Sequence, residues 1–306
     1  MIVNFVKLIR PKQWIKNFFV FAPLLFSKHV FHLEYLIPSI AAFILFSLAS
    51  SAVYIINDIL DVEADRVHPK KKYRPIASGE IAIKEALIFL AVLIIIIIAA
   101  LFFQRRVFSF VIILYIITNL VYSLRVKSIV LLDVFFISFG FMLRVLGGAA
   151  AIAVPISSWM VLTTIFISLF LAISKRRSEL SQTVNLENIE KQRKVLREYS
   201  VEFADQINTI VAAGTIVSYA LYTVSERTVA TFGTDKLIYT TPFVIYGIFR
   251  YMYLMHQKNM GESPTTIVTK DIPIILCVLI WFIISLIIIY RESIPFIPQL
   301  ISKLLP

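Results

Sequence analysis

The chain has 306 residues, of which 59% are hydrophobic and 16% charged, and its mean hydropathy of +0.84 is too high for an ordinary soluble domain. Its one cysteine excludes an internal disulfide and a cysteine-based metal cluster. The net charge of +11 would suit a nucleic-acid-binding protein, but the basic residues lie between long apolar runs, which favours a membrane protein without a nucleic-acid partner.

The apolar runs approach the ~20 residues that an α-helix needs to cross a bilayer. They predict an all-α, polytopic bundle of about nine transmembrane helices. The predicted spans are 17–36, 37–60, 86–103, 107–124, 129–150, 156–174, 206–225, 237–255 and 272–290. Lys28, His29 and His32 interrupt the first, so we expect it to be short, tilted or partly interfacial.

The distribution of basic residues predicts the orientation of the bundle. Most of the 30 Lys and Arg fall in the N-terminal segment and in the loops after the even-numbered spans. By the positive-inside rule this side is cytoplasmic, and the C-terminus is outside. We expect no cleavable signal peptide, because no small-residue cleavage site follows the basic N-terminus. The sequence therefore predicts a multi-pass protein of the cell membrane.

The first 16 residues predict an interfacial amphipathic segment, with Trp14 at headgroup depth. Lys16 and Asn17 stand where the first span leaves the cytoplasmic face. By themselves they would be explained by snorkelling of the lysine and by helix capping.

An acidic motif ends the second span. If the helix continues, Asn57, Asp61 and Asp65 lie at i, i+4 and i+8 on one face, with Asp58 beside them. These oxygen ligands at the mouth of an apolar segment predict a bound cation, and Mg²⁺ suits them because it takes one or two carboxylates and is shared with substrate phosphates. A solvated helix end is the alternative, but acids at a helix C-terminus oppose the macrodipole.

Basic residues follow the acidic motif directly. Arg66, Lys70 and Arg74 lie in the next loop, where they could hold a diphosphate from the side opposite the metal. A lysine run alone would be ordinary positive-inside sequence. We therefore base the prediction of a diphosphate site on the combination of acids and bases.

Later spans add further polar candidates. Tyr122 and Lys127 lie at the cytoplasmic end of the fourth span. Arg144 lies within the fifth span, close to Gly147-Gly148, and either lines a polar cavity or is satisfied by carbonyl groups. The sixth span ends in a polar segment containing Lys175, Arg176 and Glu179, and residues 187–205 predict either a surface helix or a lid over the site.

The acidic motif at the end of a second span resembles that of the UbiA superfamily of intramembrane prenyltransferases. Within it, the whole chain looks like the decaprenyl-phosphate phosphoribosyltransferase branch. The segments that carry this likeness are Arg10 to Asn17, Asn57 to Asp65 with His68-Pro69, Arg74 to Gly79, Leu143-Arg144 with Gly147-Gly148, and Lys175-Arg176-x-x-Glu179. The sixth span lacks the second Asp-rich motif that is typical of enzymes using a polyprenyl diphosphate.

The resemblance implies a single transmembrane catalytic domain over 1–306, with loops of about 61–85 and 175–205 covering the site. It implies Mg²⁺-dependent transfer of 5-phosphoribose from phosphoribosyl pyrophosphate to a polyprenyl phosphate in contact with membrane lipid. Asn57, Asp61 and Asp65 would bind the metal, and Asp58, Asp61 and Asp65 would be catalytic. The implied substrate-binding residues are Lys16, Asn17, Arg66, Lys70, Arg74, Tyr122, Lys127, Arg144, Lys175, Arg176 and Glu179.

Two alternatives remain open at the level of sequence. One is a UbiA-type enzyme that moves a prenyl group from its diphosphate to an aromatic or glycerol acceptor. The other is a non-catalytic lipid-binding or transport protein, although ionisable residues concentrated at helix ends do not favour it. The sequence also leaves a homo-oligomer open.

Overall fold

The computed structural model describes residues 2–68, 71–183, 196, 198–258, 267 and 269–291, and all regular structure among them is helical. Within these residues, seven helices are long and apolar enough to cross a membrane. They are α3 (Leu33–Leu60), α5 (Ile83–Leu101), α6 (Arg106–Leu124), α7 (Leu132–Ile152), α8 (Ser158–Thr183), α9 (Val201–Val224) and α12 (Ile272–Tyr290). The predicted all-α, membrane-spanning architecture is confirmed.

The described chain also contains shorter helices. The α-helices are α1 (Ile2–Leu8), α2 (Ala22–Phe26), α4 (Val62–Val67), α10 (Glu226–Phe232) and α11 (Thr241–Gln257). The 3-10 helices are Pro11–Phe21, Lys71–Tyr73, Val126–Ser128 and Lys236–Thr240.

Two predicted spans take a different form in the structure. The region 17–36 is not one helix, because the 3-10 helix Pro11–Phe21 and α2 are separated from α3 by a non-helical stretch in which Lys28 has φ 63°. The predicted span 237–255 consists of a 3-10 turn followed by the 17-residue α11. The total of nine spans therefore stays a prediction.

The described residues form two compact units, and the first comprises residues 2–22 and 33–154. Its core lies where α3, α6 and α7 meet, with Phe46 packed edge-on against Phe108 and Tyr115. At ~1.5 Å per residue the 28-residue α3 is roughly 40 Å long, more than the ~30 Å of a bilayer's hydrocarbon core. This length lets the polar end of α3 reach beyond the apolar region.

The 3-10 helix Pro11–Phe21 packs directly against α7. A Cβ added to Gly148 would stand 2.0 Å from the carbonyl oxygen of Val20, so only glycine allows this approach. Because a 3-10 helix has three residues per turn, Trp14, Asn17 and Val20 share one face. An 11-residue 3-10 helix is unusually long, and its packing against α3 and α7 accounts for its persistence.

The second unit comprises residues 23–32 and, among those described after 154, residues 155–183, 196, 198–258, 267 and 269–291. Helices α8 and α9 pack along each other, and α11 packs on α12. Its buried apolar cluster consists of Leu25, Tyr219, Tyr222, Phe232, Leu237, Ile289 and Tyr290. The Tyr290 hydroxyl accepts a hydrogen bond from the Val30 N–H and donates one to the Leu25 carbonyl, which ties α12 to this short segment.

Candidate active site

The acidic motif continues as helix with one irregularity. Helix α3 ends at Leu60, Asp61 has φ −96° and ψ 12°, and α4 begins at Val62. Hydrogen bonds of the i to i+4 type still run from the Asp61 N–H to the Asn57 carbonyl (2.9 Å) and from the Asp65 N–H to the Asp61 carbonyl (2.8 Å). The predicted helical register of the motif is therefore kept across the junction.

One arginine joins two of the carboxylates. Arg74 Nη1 donates to Asp58 Oδ1 at 3.0 Å and to Asp65 Oδ2 at 2.5 Å, and both acids are 2% exposed. Asp58 and Asp65 are seven residues apart, which places them on the same side of the helix. The sequence places Asp58 beside the metal-binding residues of the motif, and the structure makes Asp58 and Asp65 the two most buried acids of the motif.

Arg10 also binds Asp58, and the sequence prediction did not include it among the site residues. Its guanidinium donates to Asp58 Oδ1 and lies 5.0 Å from the ring centroid of Tyr54. The Arg10 backbone is left-handed, with φ 52° and ψ 60°, a conformation that is uncommon for residues other than glycine. The only sequence signal for its role was its place at the start of the segment Arg10 to Asn17.

Asp61 has a separate cationic partner. Lys127 Nζ lies 2.9 Å from Asp61 Oδ1 and 3.3 Å from Oδ2. Lys127 belongs to the short connection between α6 and α7, which ends in a strained γ-turn: Leu131 has φ 65° and ψ −44°, and the Leu132 N–H donates to the Val130 carbonyl at 2.8 Å. The structure thus places Lys127, a predicted phosphate-binding residue, next to the acidic motif, although the two are far apart in the sequence.

Arg66, Lys70 and Tyr122 are the remaining predicted residues of this region, and the structure adds Lys71 to them. Lys71 Nζ lies 3.9 Å from Asp65 Oδ1 and so extends the basic cluster. Arg66 pairs with Glu63 at 2.9 Å on an exposed surface. Lys70 lies outside the described residues, and Tyr122 is half-buried in the last turn of α6.

A second polar cluster lies deeper in the same unit, around Arg144. Arg144 is 6% exposed and donates from Nε to Asn17 Oδ1 (2.7 Å), from Nη1 to the Gly140 carbonyl (2.8 Å) and from Nη2 to the Tyr115 hydroxyl (2.7 Å). Arg144 and Asn17 are predicted separately as substrate-binding residues, and the structure brings them into direct contact.

Asn17 is held from both sides. Its Nδ2 donates to the hydroxyls of Ser47 (3.0 Å) and Ser50 (3.4 Å) on α3, while its Oδ1 accepts from Arg144. Trp14 adds a bond from Nε1 to the Ser51 hydroxyl at 3.1 Å. These serines follow a helical spacing within an apolar run, so only the structure shows that they anchor the 3-10 helix.

Lys16 is half-buried and makes no hydrogen bond or ion pair with any residue that the structure describes. Burial, and then the positive charges of Arg144 and Arg10, lower the pKa of its ammonium to about 8. A lysine with such a pKa, beside two arginines, is a group that an anion would stabilise.

Lys175, Arg176 and Glu179 lie on α8, in the second unit. Arg176 is 1% exposed and donates from Nη1 to Glu179 Oε2 at 2.6 Å, and Lys175 Nζ lies 3.8 Å from Glu179 Oε1. The predicted local cluster of two cations and one acid is present. Of the predicted lid over 187–205, residues 187–195 and 197 lie outside the described part of the chain.

The chemistry of the acidic motif suits magnesium, which prefers oxygen ligands. The half-buried Asn57 amide makes no hydrogen bond within the described residues, and Asp58 Oδ2 is buried without a partner there. The other carboxylate oxygens are held by arginine or lysine, and no three acidic or histidine side chains in the described ranges come close enough together to hold a metal ion. The residues therefore fit the metal in type, while basic side chains fix their geometry here.

Comparison with known proteins gives a consistent result. The model of the UbiA prenyltransferase family matches residues 18–269. The chain is 32% identical to a decaprenyl-phosphate phosphoribosyltransferase from Corynebacterium glutamicum, over 90% of this chain and 83% of the relative. It is also 32% identical to a protein of the same name from Mycolicibacterium smegmatis, over 92% of this chain and 91% of the relative.

Solved structures share the fold. A UbiA homolog from Archaeoglobus fulgidus bound to GPP and Mg²⁺ superposes with a TM-score of 0.69 and 18% identity, over 94% of this chain and 99% of that one. The apo structure of a UbiA homolog from Aeropyrum pernix gives a TM-score of 0.66 with 15% identity, over 90% and 98% of the two chains.

Proposed function

This chain belongs to the UbiA prenyltransferase family, and from that membership we propose that it transfers 5-phosphoribose from phosphoribosyl pyrophosphate to a polyprenyl phosphate. The observation that carries the proposal is the 32% identity, along most of both chains, to relatives named decaprenyl-phosphate phosphoribosyltransferase. The products are polyprenylphosphoryl-5-phosphoribose and pyrophosphate.

The reaction exchanges one bond for another at C1 of the ribose. An oxygen of the lipid phosphate forms the new bond to C1, and the bond from C1 to the pyrophosphate oxygen breaks, with its electron pair leaving on pyrophosphate. A phosphate monoester is already an anion at neutral pH, because its second pKa is about 6. No strong general base is required, so the chain's task is to bind, orient and stabilise the separating charges.

The acidic motif is the proposed site of the leaving diphosphate. Asn57, Asp61 and Asp65 would hold Mg²⁺, with Asp58 beside them, and the ion would stabilise the negative charge that develops on pyrophosphate. The donor types suit the metal, as does the unpartnered Asp58 Oδ2.

Basic side chains around the motif would bind the phosphates directly. Arg74, Lys127 and Lys71 already lie next to its carboxylates, so an incoming diphosphate would meet cations and acids together. Arg66 and Lys70 are further proposed contacts, as are Tyr122 and the second-unit residues Lys175, Arg176 and Glu179. We propose that residues 1–306 form a single transmembrane catalytic domain.

The protein is a multi-pass membrane protein, and we propose that it resides in the cell membrane with its active site facing the cytoplasm. The support for this orientation is the concentration of Lys and Arg on the side of the acidic motif. Phosphoribosyl pyrophosphate is soluble and the prenyl chain is apolar, so a site at the polar end of α3 can receive both. A homo-oligomer is compatible with this arrangement.

The proposal is tested with the purified full chain, Mg²⁺, polyprenyl phosphate and phosphoribosyl pyrophosphate labelled in the ribose. We expect a labelled lipid that requires Mg²⁺. Asp61→Asn should lower the rate by about 100-fold or more, since it removes an acid from the proposed site. Glu63→Gln is the matched control, because this acid is exposed and pairs with Arg66, and its rate should stay within about twofold of the parent.

A different outcome would support the other reaction of the family. No labelled lipid from phosphoribosyl pyrophosphate, together with transfer from a prenyl diphosphate to an aromatic or glycerol acceptor, would overturn the proposal. Turnover that is indifferent to both Mg²⁺ and Asp61→Asn would overturn the proposed role of the acidic motif.

A further inference from the structure

Three basic side chains lie near one another in the first unit, and they begin at the acidic motif, where Arg10 shares Asp58 with Arg74. Lys16 directly precedes Asn17, whose Oδ1 accepts a hydrogen bond from Arg144 Nε at 2.7 Å, and the charges of Arg144 and Arg10 both act on the Lys16 ammonium. Arg144 lies 4.8 Å from the Tyr115 ring centroid and 4.9 Å from that of Phe141, so its guanidinium is enclosed by aromatic rings. We call Arg10, Lys16 and Arg144 the basic seat.

The basic seat carries more positive charge than the described residues around it neutralise. Arg10 pairs with Asp58, which it shares with Arg74. The hydrogen-bond acceptors of Arg144 are an amide oxygen, a backbone carbonyl and a hydroxyl, all of them neutral. Lys16 has no hydrogen-bond or ion-pair partner in the described ranges.

Such an arrangement is costly for a protein that binds nothing there. Removing a cation from water without an anionic partner is unfavourable, and like charges nearby make it more so. Arg144 lies within the membrane helix α7, where ionisable groups are rare and usually serve function. The cost is recovered if a ligand brings a compact negative charge to the seat.

The position of the seat identifies the kind of anion. Asn17, the residue after Lys16, contacts Ser47 and Ser50 of α3, and Asp58 stands eight residues beyond Ser50. At ~1.5 Å per residue, the deep end of the seat lies roughly 12 Å from Asp58 along α3, toward the apolar part of the helix. An anion attached to an apolar chain can reach that depth from within the membrane. A free sugar phosphate would have to lose its hydration to reach the same position.

We infer that Arg10, Lys16 and Arg144 bind the phosphate group of a membrane-borne phosphate monoester. The inference rests on the proposed function and assigns its lipid substrate to the seat, while the diphosphate occupies the acidic motif. The attacking oxygen then approaches C1 from the membrane side, and pyrophosphate leaves toward the end of α3. Lys16 and Arg144 serve to bind and orient the phosphate.

Binding of labelled farnesyl phosphate to the full chain in nanodiscs tests the inference, without phosphoribosyl pyrophosphate present. Lys16→Gln should weaken binding at least tenfold, or about 1.4 kcal/mol. Lys12→Gln is the matched control, because Lys12 lies exposed on the same 3-10 helix, and it should change binding less than about twofold. Lys16→Gln should leave the binding of labelled phosphoribosyl pyrophosphate with Mg²⁺ unchanged.

Competition distinguishes the sources of the phosphate group. Unlabelled farnesyl phosphate should displace the probe, while ribose 5-phosphate and inorganic phosphate at the same concentration should not. Displacement by ribose 5-phosphate would show that the seat takes a soluble sugar phosphate and would overturn the inference. Binding of farnesyl phosphate that is unaffected by Lys16→Gln would overturn it as well.

Thermal stability gives a second readout that a structural lysine would not produce. Lys16→Met should raise the melting temperature of the ligand-free protein, because it removes an uncompensated charge, and should abolish stabilisation by farnesyl phosphate. A lower melting temperature with stabilisation retained would mean that Lys16 is structural.

The outcomes also separate this inference from the proposed reaction. If farnesyl phosphate binding depends on Lys16 but no phosphoribose is transferred, the proposed reaction is wrong and the inference about the basic seat is supported. If transfer proceeds normally and binding does not depend on Lys16, the reaction stands and the seat is wrong.

Discussion

The backbone of Val20 lies so close to Gly148 that a side chain on the glycine would stand 2.0 Å from the Val20 carbonyl oxygen. This approach holds the 3-10 helix Pro11–Phe21 against α7 and brings Asn17 to Arg144. The position of the basic seat therefore depends on a residue that contacts no proposed substrate.

Gly148→Ala should destabilise the protein. The added methyl group would meet backbone atoms, which cannot rotate away as a side chain can, so we expect a loss of about 1–3 kcal/mol and a lower melting temperature. Gly247→Ala is the control, since a Cβ there meets nothing within 4 Å. Equal melting temperatures for the two variants would contradict the close packing of Val20 and Gly148.

Arg144→Lys should destabilise the protein although it keeps the charge. A lysine ammonium cannot match three separate acceptors arranged around a planar guanidinium, and each lost bond to a charged group is worth about 1.5–3 kcal/mol. Arg106→Lys, at an exposed position, should have little effect. A double-mutant cycle between Arg144→Lys and Asn17→Ala should give a coupling energy of about 1 kcal/mol or more, and strict additivity would show that the two residues are not coupled.

Arg74→Lys should reduce turnover by about tenfold or more, because one ammonium replaces a guanidinium that bridges Asp58 and Asp65. The Michaelis constant for phosphoribosyl pyrophosphate should rise, and that for the lipid phosphate should stay unchanged. Arg125→Lys, an exposed change in the loop after α6, is the control. A selective effect of Arg74→Lys on the lipid phosphate would contradict the division of the site into two regions.

Binding of farnesyl phosphate should weaken as the pH rises above about 8, because Lys16 then loses its proton in the ligand-free protein. The phosphate gains its second charge near pH 6, and affinity should be greatest between these two values. Lys16→Arg should remove the alkaline decline, and its persistence in that variant would assign the effect to another group.

The lowered pKa of Lys16 also predicts how the stability of the protein changes with pH. Between pH 8 and the ordinary lysine value of 10.5, the unfolded chain holds the Lys16 proton more tightly than the folded chain does. The contribution of Lys16 to the free energy of unfolding therefore increases with pH across this window. Comparing the pH dependence of the melting temperature for the parent and Lys16→Met measures it, and parallel curves would contradict the lowered pKa.

Much of this architecture could be predicted from the sequence because long apolar runs and a charged helix end are direct signals of membrane spans and of a polar site. The sequence also predicts the acids and bases that the structure joins in ion pairs. They are Asp58, Asp61, Asp65, Arg74 and Lys127.

The N-terminal segment could not be predicted in the same way. A period of three and a period of 3.6 are hard to distinguish over eleven residues, so the 3-10 helix was missed. Arg10 was missed as well, because its contact with Asp58 joins positions 48 residues apart and depends on a left-handed backbone. The sequence does not predict that Ser47, Ser50 and Ser51 anchor the 3-10 helix, because small polar residues within a membrane helix commonly bond to the backbone of their own helix.

Asp58, Asp61 and Asp65 are each matched by a cation of the protein's own, so the acidic motif has little net charge to display at a distance. A free metal ion would have to displace basic side chains without offering them a new partner, and a free diphosphate would do the same to the acids. A ligand that carries metal and diphosphate together satisfies both sets of side chains at once. We therefore propose that the pairing of acids with bases makes the motif selective for a complex of metal and diphosphate over either of its components.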